Sequence, residues 1–104
     1  MIKAVFINKG GKTAGFTISG HAGYEESGND IVCAGVSSAV MLTANAITEK
    51  FKVKAEVLDK NNEISLRLLE ENEQASLLLE ALKEHIGLIS NEFSGTISIE
   101  NMEV

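Results

Sequence analysis

A histidine and the chain's one cysteine bracket a short glycine-bearing stretch that runs from His21 to Cys33. A thiolate is a strong nucleophile. An imidazole beside it can keep it ionised and then return a proton to a leaving group. No second cysteine exists to pair with Cys33, so an intramolecular disulfide does not account for it. Asn29 and Asp30 are helix N-cap residue types standing before an apolar run. With Asp30 as N-cap, Cys33 falls at the third helical position, where unpaired N–H groups and the helix dipole favour an anion. The competing account of a lone cysteine is a small buried hydrophobe. A helix start directly after a glycine-bearing loop favours the reactive thiol, with His21 as its acid–base partner.

Other residues of the stretch have supporting readings. Asp30 either caps the helix or orients the imidazole as the third member of a nucleophile–base–orienter set. Ser37, one helical turn after Cys33, has its side chain on the same stripe and can donate a hydrogen bond there. Gly20, Gly23 and Gly28 supply backbone freedom. Ala22, Gly23, Tyr24, Glu25, Glu26, Ser27, Gly28 and Asn29 read as a substrate-gating loop. They bury too little to offset their own ordering entropy, roughly 1–2 kcal/mol per residue. On that expectation the loop is mobile until substrate fills the cleft and assembles the pair. Glu25 and Glu26 read as solvated loop charges.

These residues must be held by elements, and the apolar pattern names them. Residues 2–7 and 13–20 alternate as two strands around a turn at Asn8–Lys12 that contains Gly10-Gly11. From Ile31 to about Phe51 the period becomes helical, with Val32, Val36, Val40, Thr43, Ile47 and Phe51 on one face. Gly35 costs this helix roughly 1 kcal/mol against alanine, which implies close approach by another backbone, either a neighbouring element or a bound peptide. Val53–Val57 and Ile64–Leu69 form a second hairpin around Asp59–Asn62. A second helix covers about 73–89 with Asn72 as N-cap and Leu78, Leu79, Leu82, Ile86 and Ile89 inward. A last strand runs from Gly95 to Asn101. The order ββαββαβ predicts an α+β two-layer sandwich: a mostly antiparallel sheet of about five strands covered by two helices.

Composition bounds the function. At 104 residues the chain reads as one domain, 1–104. Nine basic against fifteen acidic residues give a net charge of −6. With a single Arg and no basic cluster, direct nucleic-acid binding is not expected, and a basic peptide is the better electrostatic match. One Cys and two His offer no spaced metal-ligand set, so no metal and no cofactor are expected. No signal peptide is evident and no apolar run approaches eighteen residues, so neither export nor a membrane is expected. A lone cysteine without an export signal points to the cytoplasm. The residues thus give a thiol nucleophile with a histidine partner; a cysteine amidohydrolase or acyltransferase would look the same at this level.

The pattern G-H-A-x-Y-x-x-x-G-x-D-I-V-C-A-x-V-S, here Gly20 to Ser37, resembles the ribosomal-processing cysteine protease family, Prp. Chain length and element order fit it too. The resemblance implies a cytosolic bacterial endopeptidase, homodimeric, with Cys33 as nucleophile and His21 as proton donor. Asp30, Ser37 and Gly20 match supporting positions. It further implies a peptide substrate, the precursor of large-subunit ribosomal protein twenty-seven, whose N-terminal extension is cut after a phenylalanine before ribosome assembly. The alternative is a non-catalytic ribosome-assembly or peptide-binding module that recognises the same precursor.

Overall fold

Alternating apolar residues pair into two hairpins, each closed by a two-residue turn. The computed structural model describes residues 1–20 and 27–104, and for 27–30 the backbone. Strands β1 (Ile2–Lys9) and β2 (Lys12–Ser19) meet antiparallel around Gly10-Gly11. Both glycines have positive φ, 61° and 81°, which suits the right-handed strand twist at so tight a turn. Strands β3 (Ala55–Lys60) and β4 (Glu63–Leu68) turn at Asn61-Asn62 with φ of 57° and 60°. Asparagine tolerates that left-handed region better than most residues. Strand β5 (Ile97–Glu103) lies parallel to β1, giving the order β3-β4-β2-β1-β5. The sheet is therefore mixed, antiparallel in all pairings but one.

Helices α1 (Ser27–Asn45) and α2 (Glu73–Glu92) cover the face that carries Ile2, Ala4, Phe6, Phe16, Ile18 and Leu66, all buried. The α+β sandwich of order ββαββαβ is what the sequence pattern predicts. Asn72 caps α2 as expected: its side-chain oxygen accepts the Ala75 N–H at 2.9 Å. Leu79, Leu82 and Ile86 are buried beneath it, with Leu78 and Ile89 packed at the edge of the core.

The first helix departs from expectation at both ends. It begins at Ser27, so Ser27, Gly28 and Asn29 belong to a helix and not to a loop. Ser27 is itself an N-terminal residue type, and once a turn forms each added residue gains a hydrogen bond. At the other end the helix widens into a π-type turn over Ala46–Lys50, with the Phe51 N–H donating to the Ala46 carbonyl. The wider turn carries Phe51 out of phase with the buried stripe. Val32, Val36, Val40, Thr43 and Ile47 are buried, whereas Phe51 is 42% exposed.

Two further expectations change on the same helix. Among the described residues no backbone of a neighbouring element approaches Gly35: a Cβ placed there would meet the Ile89 Cδ1, at 3.6 Å, an ordinary contact. And Ile31–Lys50 is, by length and composition, apolar enough to cross a membrane. Small residues and scattered Ser and Thr hide this from a search for bulky apolar runs, yet Ile31 to Thr48 carries no charge. Val32, Val36, Val40, Ala44 and Ile47 from this segment are buried in the protein's own core.

Candidate active site

Cys33 lies partly buried on α1, against the core between that helix and the sheet. It lines a groove of about 270 Å³. That volume lies just below the usual range for small-molecule pockets, which suits a side chain or two of a longer ligand. The elements that build the groove are set by the sheet order. Strands β4 and β3 lie to one side of β2. The end of their hairpin therefore faces the N-terminal half of α1. Ile18 and Ile64, opposite each other in register, supply the sheet side of the floor. Val36 and Val40, one turn apart, supply the helix side, with Met41 at the edge.

Ser37 is exposed, one turn beyond Cys33, and lines the same groove, so the stripe read from the sequence is present. Gly20 also lines it. With φ +86° and an added Cβ only 2.6 Å from the Met1 carbonyl oxygen, position 20 has room for nothing larger than glycine. Its N–H donates to the Asn62 carbonyl oxygen at 3.3 Å, tying the exit of β2 to the second hairpin. His21, Ala22, Gly23, Tyr24, Glu25 and Glu26 lie outside the described residues, as do the side chains of Ser27, Asn29 and Asp30.

The helix start corrects two readings. Asp30 is the fourth residue of α1, so it is not the N-cap. Cys33 is the seventh, not the third. Dipole effects fall off within the first turn. The helix end is thus a turn further from the sulfur than the spacing implied. Among the described residues no group of three or more His, Cys, Asp or Glu is placed to hold a metal ion.

Sequence reasoning missed the acidic rim. Asp59 and Glu63, at the end of the second hairpin, line the groove with Asn62. The only available signal was turn chemistry, because the facing of a hairpin end depends on strand order.

The chain is similar to several solved structures. An essential ribosomal processing protease Prp from S. aureus, in complex with a covalently linked product peptide, matches with a TM-score of 0.86 and 27% identity, over 97% of this chain and 99% of that one. The same S. aureus protease in complex with a substrate peptide matches with a TM-score of 0.87 and 26% identity over the same shares of the two chains. SMU.848 from Streptococcus mutans matches at 0.81 and 28%, over 100% of this chain and 96% of that one. No curated protein matches the sequence. The family model described as cysteine protease Prp covers residues 1–98, and with it the groove and Cys33, so the chain belongs to the Prp family of cysteine proteases.

Proposed function

We propose that this protease is a cytoplasmic, homodimeric endopeptidase that removes the N-terminal extension of large-subunit ribosomal protein twenty-seven, with Cys33 as nucleophile and His21 as proton donor. One observation carries the reading: the chain's one cysteine lines a groove of side-chain size, in a fold similar over its length to a protease solved with a covalently linked product peptide. Membership in a protease family sets the non-catalytic module aside.

The chemistry follows from the residue types. The Cys33 thiolate attacks the scissile carbonyl carbon, forming a C–S bond and an oxyanion. As the oxyanion collapses, the C–N bond breaks and the His21 imidazolium gives its proton to the leaving amine. A thioester remains on Cys33. Water, deprotonated by the now neutral His21, attacks that thioester and releases the carboxylate product and the thiolate. Ser37 lines the groove one turn from Cys33, and its hydroxyl is suited to donate a hydrogen bond to a substrate oxygen.

The homodimer has its own support. Ile31, Met41 and Leu42 leave large apolar side chains exposed on α1, of the kind a second copy would cover.

Incubation with the extended precursor, with intact mass read before and after, tests the function. The expected result is loss of the extension with wild-type protein and no change with Cys33→Ala. An unprocessed precursor with the wild type would overturn the assignment of substrate.

A further inference from the structure

One row across the sheet ends in an anomaly. Register places Ile99, Ala4, Ile18, Ile64 and Asp59 side by side on β5, β1, β2, β4 and β3. Residues paired in register point to the same face, so this row lies on the helix-covered side. Its first four members are apolar. The fifth is a carboxylate, on the edge strand, lining the groove that holds Cys33.

Among the described residues no cation lines the groove beside this charge. Asp59 stands opposite Ile64 in the ladder, whereas Glu63 stands opposite Lys60. The two ion pairs among the described residues, Lys3–Glu100 and Lys12–Glu71, lie elsewhere. No lysine or arginine is among the described residues that line the groove, while Asp59 and Glu63 both are. A groove with an apolar floor and a negative end that no described lysine or arginine lines favours a ligand that is apolar at one point and cationic a short way along.

We propose that Asp59 is a specificity-determining residue of this groove: its carboxylate receives a lysine or arginine of the substrate peptide while a neighbouring apolar side chain lies on Ile18, Val36 and Ile64. The assignment rests on the groove being the peptide site of the protease. A long cationic side chain can bury its methylene stem along the floor and still deliver its charge to the rim. Asp59 is exposed and water screens it, so the discrimination is modest, about three- to five-fold. A charge on the inward side of an edge strand can also serve only to block edge-to-edge association. The two roles separate by measurement.

The probe is a series of fluorescein-labelled decapeptides with one central phenylalanine. A lysine, a norleucine or a glutamate is walked through the three positions on either side. Binding is read by anisotropy on Cys33→Ala and on the same protein with Asp59→Asn or Asp59→Lys added. Cleavage is read with otherwise wild-type protein carrying the same changes at 59. At one or two positions lysine should be preferred over norleucine about three- to five-fold. Asp59→Asn should abolish that preference through KM with kcat kept, and Asp59→Lys should turn it toward glutamate. Full retention of the lysine preference in Asp59→Asn, or a change in self-association alone, overturns the proposal. If wild type cleaves none of the peptides, the protease reading of the groove is what fails, and the anisotropy series still decides for or against Asp59.

Discussion

Cysteine and serine differ by one atom, yet the proposed mechanism distinguishes them sharply. The reaction needs an ionised nucleophile at neutral pH, and a hydroxyl with no low-pKa anion cannot take the place of the thiolate. Cys33→Ala and Cys33→Ser should therefore both fold and both lose cleavage, read by precursor mass and a thermal melt. His21→Ala should fold as well and lose about 10²- to 10⁴-fold in rate, the usual contribution of a positioned acid–base group. Near wild-type cleavage by Cys33→Ala would remove the nucleophile assignment. At this scale the sequence was most legible in the spacing that brings Cys33 and Ser37 to one groove. Cys33 is one of a kind in the chain, and Ser37 follows it by one helical turn. It was least legible at Asp30, because Ser27, Asn29 and Asp30 are all cap types and only the folded backbone decides where the helix begins.

Two glycines on neighbouring elements look alike in the sequence and behave oppositely in the fold. Gly20 follows β2 with φ +86°, and a Cβ there would stand 2.6 Å from the Met1 carbonyl oxygen. Gly35 sits inside α1 where, among the described residues, only the Ile89 side chain is near a would-be Cβ. Gly20→Ala should thus cost more than about 1 kcal/mol, since alanine cannot adopt the native backbone without strain. Gly35→Ala should stabilise by roughly 0.5–1 kcal/mol, by removing backbone entropy from the unfolded chain. Urea denaturation checks both, as midpoints that move in opposite directions. A destabilised Gly35→Ala would reveal a close approach to α1 that the described residues do not make, such as one made by a second copy. Helix and strand existence was readable from period alone. The π-type turn that swings Phe51 outward was not, because residue pattern does not encode the width of a helical turn.

The charge of the whole molecule was plain from composition, but where that charge acts depends on topology. A net charge of −6 attracts a basic peptide from any side. Strand order then sets one carboxylate at the end of an otherwise apolar row, a placement invisible until β3, β4 and β2 are known to be neighbours. The general field and the local contact respond differently to salt. At 0.1 M ionic strength the Debye length is about 10 Å, so the field of distant charges fades while a contact inside the groove is screened less. For a lysine-bearing peptide, kcat/KM should fall as salt rises from ~0.02 to ~0.2 M, with kcat nearly constant, because charge steers encounter and binding but not bond cleavage. Asp59→Asn should lower kcat/KM at every salt concentration and leave most of the slope. The slope belongs to the remaining acidic surface and the offset to Asp59. A variant that keeps the wild-type offset but loses the slope would reverse that division and make Asp59 part of the general field, with no role in reading the peptide.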